Sequence, residues 1–435
     1  MYCKTWANSG YSVLVGGPYL VRDATISGST LALSGDLNGT TTIEVVAPKH
    51  VTTITWNKAR QPWTTTAYGS RVATVTGLPN TVALPKLDNW KVMNSLPEID
   101  PAFDDSNFVT CDQMTTNYTN LPPLNAGPVL YSQQYGFSGG NLIWRGHFNA
   151  SGAETAFNLT VQGGFAFGFS AWLNGVFLGS SQGNATVSQT TVVWSIPSNT
   201  LAVGEDNVLV VLQDHMGLVE TSSSSGKEPR GIRGYSIIGG STTFRLWKLA
   251  GHLGGSGNNP DKYRGYLNEG GLYAERIGAH LPSFPDSNWT SGTPLVGGGV
   301  KSAGVNFYRT TFNVSFPEGY KSDVPLRLSF TPSDITSNYR VQIYLNGWLM
   351  GKYINNFGPQ LVFVLPSGLL KRKAQNTLAL SLWSLDSAGA SLAGLDLISD
   401  GVFSSSFSFE DNGAAPDYDT QARKRETPLA GLVPM

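Results

Sequence analysis

The amino-acid sequence predicts an all-β protein in which one β-sandwich module occurs twice, after a smaller β unit. The 435 residues include 50 glycines and 24 prolines, only 14% are charged, and stretches with a helical period are nearly absent. The segment 171–179 reappears as 343–351, with Leu-Asn-Gly at the centre of each copy. The two copies lie 172 residues apart, so the repeated unit is a whole domain and not a solenoid unit. At roughly 150 residues per domain, the length suits three domains.

The N-terminal part predicts a compact β unit over residues 18–88. Two hairpin-like runs lie between residues 21 and 46, with turns at Gly28-Ser29 and Asn38-Gly39. Residues 1–17 end in the apolar run 13–15 and have no partner strands before them. They are therefore interpreted as the remnant of a preceding β domain.

Two sandwiches of similar length follow, at residues 89–255 and 256–409. The polar segment 410–435, which contains Arg423-Lys424-Arg425, is expected to be a flexible tail. Landmarks in the two sandwiches recur at similar distances, as expected for two copies of one fold with different loop lengths. The pairs and their separations are Asn174 and Asn346 (172), Arg145 and Arg309 (164), Pro197 and Pro366 (169), Asn207 and Asn376 (169), and segments 105–108 and 286–289 (181).

The repeated Asn-Gly pairs predict the tips of tight hairpins, because asparagine and glycine readily adopt the positive φ angles of a type I′ turn. Apolar and other residues alternate over 341–345 and 377–382, which predicts half-buried strands. The run 208–212 is continuously apolar, which predicts a strand covered on both faces.

Several function classes lack support in the sequence. The formal net charge is −1 and no basic stripe interleaved with aromatics occurs, so nucleic acid is not an expected partner. No apolar stretch reaches the roughly 18–20 residues of a membrane span, and residues 1–20 lack the pattern of a signal peptide. A phosphate-binding loop, a nucleophile elbow and paired zinc-type histidines are all absent, so no cofactor or metal is expected.

The acidic residues give two weak candidates for catalysis. Asp214-His215 could be an acid/base pair, but adjacent strand residues point to opposite faces. Glu269 and Glu275 are the only motif-like acidic pair, and a retaining glycosidase needs two carboxyls about 5–5.5 Å apart. The glycines between them suggest a turn, with Glu275 free to pair with Arg276 or another arginine. Structural ion pairing or loop support is the favoured interpretation of the two glutamates, and a catalytic role is not favoured for Asp214-His215.

Aromatic residues flank both predicted hairpin tips. Trp172 and Phe177 lie around the first, and Tyr344 and Trp348 around the second. Loop ends of sandwiches often carry binding sites, where such rings can stack on a sugar. Core or inter-domain packing is the favoured alternative, because the same pattern in both copies suits a shared fold.

Seven Asn-x-Ser/Thr sequons predict N-glycosylation and a secreted lineage. Cys3 and Cys111 are the only cysteines, and the sequence leaves open whether they pair, with two unpaired thiols favoured. The sequons are at Asn38, Asn117, Asn149, Asn158, Asn184, Asn288 and Asn313.

Five stretches of the sequence match a known family, and the last two are the most specific. The stretches are 17–22, 141–148, 229–232, 267–276 and 355–360. With these matches, the chain resembles the C-terminal half of fungal secreted β-galactosidases of glycoside hydrolase family 35 over roughly residues 11–425.

The resemblance implies a small β-sandwich followed by two tandem galactose-binding-like jelly rolls. In that family a catalytic TIM barrel and a second β domain come first. Both catalytic glutamates of the retaining reaction and the galactose-contacting residues lie in the barrel, so no catalytic residue can be carried over to this sequence. The resemblance also implies a secreted, glycosylated parent without a redox or nucleotide cofactor, and a truncated gene product or partial gene model is expected.

The expected function is therefore that of an accessory, non-catalytic region of a β-galactosidase, whose partner is the catalytic barrel. One alternative is a free-standing module that binds galactosides or plant-wall polysaccharide. Another is a fragment that complements a separately made barrel chain, which would need an exposed apolar docking face.

Overall fold

The structure, a computed structural model, describes residues 1–6, 10–218, 228–251, 271–317, 321–332, 337–358 and 360–408. Regular structure in these ranges is almost entirely strand, which confirms the all-β prediction. Two 3-10 turns (Pro97–Ile99 and Ser132–Tyr135) and one short helix, α1 (Tyr273–Arg276), are the helical elements described. No helix within these ranges combines the length and the apolar character that crossing a membrane requires.

In the part of the chain that the structure describes, the small sandwich has nine strands in two sheets. Its strands are β1 (Tyr2–Trp6), β2 (Tyr11–Gly16), β3 (Leu20–Ser27), β4 (Thr30–Asp36), β5 (Thr41–Val46), β6 (Thr53–Trp56), β7 (Ala59–Arg60), β8 (Thr64–Thr65) and β9 (Arg71–Val75). One sheet has the order β1-β2-β5-β9-β8 and the other β3-β4-β6-β7. Alternate residues of both sheets, including Leu31, Leu33 and Ile43, fill one core.

Residues 1–6 and 10–17 belong to this small sandwich, so the interpretation of segment 1–17 as the remnant of a preceding domain is wrong. β2 pairs with β5, and Val15 lies opposite Val45. Val13 and Val15 point into the shared core and are 0% and 1% exposed. The partner of β2 follows it in the chain, whereas the interpretation considered only residues that precede it.

After β10 (Lys91–Asn94), ten strands within the described ranges form the first jelly roll. They are β11 (Val109–Thr110), β12 (Leu130–Tyr131), β13 (Gly140–Asn149), β14 (Ala156–Gln162), β15 (Phe169–Leu173), β16 (Val176–Ser181), β17 (Gln189–Ser195), β18 (Asp206–His215), β19 (Gly231–Ile238) and β20 (Leu246–Ala250). A six-stranded sheet (β11-β20-β13-β18-β15-β16) faces a four-stranded sheet (β12-β19-β14-β17). Trp144 of the first and Phe157 of the second both belong to the core between the two sheets.

The second jelly roll follows the same plan. Its strands are β10, β21 (Thr290–Ser291), β22 (Gly304–Phe312), β23 (Ser322–Asp323), β24 (Leu326–Thr331), β25 (Tyr339–Leu345), β26 (Trp348–Ile354), β27 (Val362–Leu365), β28 (Asn376–Ser384), β29 (Gly394–Ser399) and β30 (Phe403–Ser404). A six-stranded sheet (β21-β10-β22-β28-β25-β26) faces β27-β24-β29, and β23 pairs with β30 at the side.

Strand β10 lies in the second jelly roll although it precedes the first in the chain. It runs antiparallel beside β22, with Lys91 opposite Arg309, and Trp90 joins the core of the second jelly roll. The predicted range 89–255 for the first jelly roll is therefore wrong at its N-terminal end. The predicted boundary at 255/256 and the predicted tail lie outside the described residues.

The two six-stranded sheets have the same strand order once β20 of the first is equated with β10 of the second. The first jelly roll closes its sheet with its own last strand, whereas the second uses a strand from before the first. The duplication predicted from the repeats is therefore visible in the topology, and the second jelly roll encloses the first along the chain.

Strand β18 is covered on both faces, which confirms the prediction from its continuous apolar run. Leu209 and Val211 lie in the core of the first jelly roll. The residues on its other face pack in a separate apolar cluster, together with Val305 and Trp383 of the second jelly roll. These outward residues are Val208, Val210 and Leu212.

Strands β25 and β28 are also buried along their whole length, so the prediction of half-buried strands at 341–345 and 377–382 is wrong. Ala379, on the outer face of β28, packs beside Ala274 of helix α1. The alternating pattern is real, but a second layer covers the face that was expected to meet water.

Candidate functional site

Both Asn-Gly pairs form hairpin tips, between β15 and β16 and between β25 and β26. The φ angles are 48° and 83° for Asn174 and Gly175, and 49° and 91° for Asn346 and Gly347. Positive φ at both central residues is the backbone of a type I′ turn, as predicted. Both hairpins also carry a β-bulge at corresponding positions of their first strands.

The side chains of the turn asparagines tie each tip to the neighbouring strand. Asn346 Nδ2 donates to Leu369 O at 2.7 Å and to Asn376 Oδ1 at 2.9 Å. Asn346 Oδ1 accepts a hydrogen bond from Thr377 N at 2.9 Å. Asn174 makes the corresponding three bonds, at 2.8–3.0 Å. The repeated asparagines therefore serve the fold.

The repeated arginines clamp the loop that leads into each six-stranded sheet. Arg145 is fully buried, donates from Nε to Asp105 Oδ2 at 2.6 Å, and reaches main-chain carbonyls within residues 98–103. Arg309 Nε lies 3.2 Å from Asp286 Oδ2, and the guanidinium of Arg309 donates hydrogen bonds to main-chain carbonyls within residues 279–282. The repeated arginine and the repeated Asp-Ser-Asn segment thus form one clamp in each copy.

His147 links the first clamp to two further charged residues, Asp206 and Arg245, which the spacing of the repeats did not predict as partners. Its Nε2 lies 2.9 Å from Asp105 Oδ2, and its Nδ1 lies 2.8 Å from Asp206 Oδ2. Arg245 pairs with the other oxygen of Asp206 at 2.9 Å. Burial raises the pKa of Asp105, but hydrogen bonds from Arg145 and His147 outweigh it and hold this pKa below its usual value.

Another carboxylate, Glu154, closes a tight loop of the first jelly roll. Its Oε1 accepts from Ser151 N and its Oε2 from Gly152 N, both at 2.8 Å, and Thr242 Oγ1 also donates to Oε1. Burial raises the pKa of Glu154, but hydrogen bonds from Thr242 and Ser151 favour the ionised form and lower the pKa to about 2.

The predicted acidic pair is described for only one of its members. Glu275 is 2% exposed, and its Oε2 accepts from Tyr344 OH at 2.9 Å. Its neighbour Arg276 pairs with Glu98 of the first 3-10 turn. Glu269 lies outside the described residues. The contacts described for Glu275 and Arg276 are those of a packed helix and not of an open cleft.

Asp214 and His215 face different partners, as their adjacent places on β18 predict. Asp214 Oδ2 accepts from Arg340 Nη1 at 2.5 Å and its Oδ1 from Lys352 Nζ at 2.7 Å. His215 Nε2 lies 3.3 Å from Gln133 Nε2. Burial raises the pKa of Asp214, but the two cations outweigh it and lower the pKa below its usual value.

Asp214 belongs to the first jelly roll and its two cations to the second, so these charges are part of a junction between the two. We use "the junction" for Asp214, Arg340, Lys352, Trp383 and Ser170. Trp383 Nε1 donates to Ser170 Oγ at 3.1 Å across it. An added Cβ at Gly168 would lie 2.8 Å from Arg340 Nε, so this glycine makes room for the guanidinium. The junction adjoins the apolar cluster that covers β18.

Two of the four aromatic rings proposed for sugar stacking are buried. Trp172 and Tyr344 are each 1% exposed, the first packed between the jelly rolls and the second near helix α1. Neither offers a ring face to a sugar, so the expectation is corrected for these two and the packing alternative describes them. Phe177 and Trp348 are partly exposed, and sugar stacking stays a prediction for them.

Six of the seven sequon asparagines are exposed, and Asn158, within β14, is half-buried. Whether they carry glycans stays a prediction.

Cys3 is exposed and Cys111 is buried, and both are free thiols. Among the described residues, no group of three or more His, Cys, Asp or Glu side chains is arranged to hold a metal ion.

Two family models match the chain. The model described as "Beta-galactosidase second all-beta domain" matches residues 103–219 and 273–388, together more than half of the chain. The model described as "Beta-galactosidase, domain 3" matches residues 5–72. The first model thus matches once in each jelly roll, and the second lies in the small sandwich.

Named fungal proteins are similar over most of the chain. "Probable beta-galactosidase C" of Sclerotinia sclerotiorum is 42% identical over 404 residues, which cover 92% of this chain and 40% of that protein. "Beta-galactosidase A" of Aspergillus niger is 42% identical over 392 residues, covering 89% and 38%. "Probable beta-galactosidase B" of Penicillium rubens is 41% identical over 394 residues, covering 88% and 38%. The chain therefore spans about two fifths of the length of these relatives.

Proposed function

The chain belongs to the family of the β-galactosidase second all-beta domain, and from this premise we propose that it is the non-catalytic β-sandwich region of a β-galactosidase. In the intact enzyme it packs against a catalytic TIM barrel that removes terminal β-D-galactosyl residues by a retaining mechanism, and it stabilises that barrel. The proposal rests on one observation, which is that the residues repeated in the two jelly rolls support the fold. Asn174, Asn346, Arg145 and Arg309 all hold hairpins or loops in place.

The proposal includes secretion and N-glycosylation of the intact protein. Its support is the similarity to fungal β-galactosidases together with the exposure of six sequon asparagines. Peptide mapping after enzymatic removal of glycans, on protein secreted by a fungal host, tests it. Glycans on the exposed asparagines are expected, and a secreted chain without any would overturn this part.

Reconstitution tests the accessory role. The chain is purified and mixed with the N-terminal part of the Sclerotinia sclerotiorum relative that it does not match, made as a separate chain. Size-exclusion chromatography, hydrolysis of a nitrophenyl β-galactoside and thermal inactivation are then measured. We expect no hydrolysis by this chain alone, and a complex in which the other part is active and inactivates at a higher temperature.

An Asp214→Asn variant, which loses the charge pairing at the junction, is the matched control. It should stabilise the complex less than the unaltered chain, because the two jelly rolls no longer hold a fixed arrangement. Hydrolysis by the isolated chain would overturn the non-catalytic role. An N-terminal part that is equally active and stable without the chain, and does not bind it, would overturn the supporting role.

Carbohydrate binding is a second candidate function, and it rests on Phe177 and Trp348, which are partly exposed and lie beside the two hairpin tips. Calorimetric titration with galactosides and plant-wall polysaccharides tests it. Binding that is lost in Trp348→Ala, but retained in a variant of the buried Trp172 that still folds, would support it. No heat of binding at millimolar sugar would remove it.

A further inference from the structure

The chain contains four Asn-Gly pairs, and the three within the described residues hold their asparagine side chains very differently. Asn174 and Asn346 each have both side-chain ends fixed by hydrogen bonds to a neighbouring strand and to the loop that precedes it. Asn38 is exposed, in the bend between β4 and β5, and no described residue bonds to its side-chain amide. The fourth pair, Asn412-Gly413, lies outside the described residues.

We propose that Asn38 is a site of spontaneous deamidation and isomerisation. The main-chain nitrogen of Gly39 attacks Cγ of Asn38, a C–N bond forms, and Nδ2 leaves with the proton of the attacking nitrogen as ammonia. The product is a five-membered succinimide. Water then opens this ring at one of its two carbonyls and leaves either aspartate or isoaspartate. No oxidant, reductant or enzyme takes part, and Gly39 has no Cβ to hinder the attack.

The same dipeptide is protected at the two hairpin tips. Ring closure requires Cγ to rotate toward the following nitrogen, and the side-chain bonds of Asn346 and Asn174 prevent that rotation. Asn346 is also only 5% exposed, which limits access of the water that opens the ring. The chain therefore carries its own controls, since three identical dipeptides differ only in their surroundings.

Conversion of Asn38 would act on a contact between two domains. We use "the C-terminal strap" for residues 403–408. Its Ser404 exchanges two main-chain hydrogen bonds with Leu37 of the small sandwich, at 3.0 and 2.9 Å, and Ser405 Oγ donates to Asp36 Oδ1 at 2.8 Å. Ser404 also pairs with Ser322 of the second jelly roll.

Isoaspartate adds one carbon to the main chain immediately after Leu37, and either product adds a negative charge near Asp36. Both changes should loosen the hold of the C-terminal strap on the small sandwich. The proposal thus links a slow chemical change at one residue to the attachment of a whole domain.

The test uses the full chain made in bacteria, so that no glycan occupies Asn38. Folded and urea-unfolded samples are kept at mildly alkaline pH, digested at intervals and mapped by mass spectrometry, with isoaspartate methyltransferase labelling to detect isomerisation. In the folded chain Asn38 should convert many times faster than Asn174 and Asn346, and in urea the three should convert at similar rates. Equal rates in the folded chain, or an intact Asn38 after conversion of the unfolded sample, would overturn the site.

Hydrogen–deuterium exchange on aged samples tests the effect on the strap. Exchange at Leu37 and Ser404 should speed up with age in the unaltered chain and stay constant in Asn38→Gln, which cannot form the succinimide readily. Unchanged exchange after full conversion would overturn the link to the strap. A sample glycosylated at Asn38 should not convert, because the leaving nitrogen carries the glycan.

Discussion

Replacing Asn346 by alanine is expected to lower the free energy of unfolding of the second jelly roll by about 3–8 kcal/mol. Thr377 N–H loses its acceptor and Leu369 O loses a donor, and each unpaired buried group costs about 1–3 kcal/mol. Asn376 Oδ1 keeps a hydrogen bond from Lys371 N at 2.8 Å and adds little. Alanine must also hold a φ near 49°, which costs roughly 1–2 kcal/mol.

Two further variants separate these contributions. Asn346→Gly removes the same hydrogen bonds but tolerates the positive φ, so it should be less destabilised by roughly 1–2 kcal/mol. Asn174→Ala should lose less than Asn346→Ala, because Asn174 is only half-buried and water can replace part of its bonding. Urea unfolding followed by tryptophan fluorescence, with calorimetry to assign the transitions, measures all three. An Asn346→Ala loss below about 1 kcal/mol would refute the reasoning, since that is ordinary for a surface substitution.

Three other changes have defined outcomes. Asp214→Asn should lower the free energy of unfolding by about 3–5 kcal/mol, because Arg340 stays buried without a carboxylate; an unchanged calorimetric profile would contradict this. Gly168→Ala should lower the melting temperature, because its Cβ would lie 2.8 Å from the same guanidinium, whereas Gly16→Ala, with nothing within 4 Å, should leave it unchanged. Glu154 has a pKa lowered from 4.5 to about 2 on folding, so it stabilises the fold above pH 4.5, and this contribution is lost as the pH falls toward 2. The melting temperature of Glu154→Gln should therefore depend less on pH over that window, and parallel curves for the two proteins would rule the effect out.

Features that depend on neighbouring residues could be predicted from the sequence. An Asn-Gly pair between two apolar strands favours the positive φ angles of a tight turn, so the hairpin tips at Asn174 and Asn346 were predictable. The continuous apolar run 208–212 indicated burial on both faces, because neither face carried a polar residue. The repeated landmarks predicted the duplication, because equivalent residues perform the same local task in each copy.

Contacts between distant parts of the chain left no comparable pattern. Asp214 meets Arg340 at a separation of 126 residues, and nothing in the local sequence of either marks the other. The burial of Trp172 and Tyr344 depends on layers that cover the outer faces of the two large sheets. A strand pattern shows which residues share a face, but the sequence does not show whether another domain will cover that face.

Because β10 belongs to the second jelly roll, the order of synthesis constrains the order in which the two jelly rolls can fold. Lys91 of β10 contacts Asp286, which lies 195 residues further on. At roughly 5–20 residues per second, the ribosome needs about 10–40 s to supply this partner. During that interval the whole first jelly roll is synthesised and can complete its own sheet, whereas the neighbours of β10, strands β21 and β22, do not yet exist. Order of assembly is therefore encoded in the path of the chain, with the inner domain finished before the outer one can close.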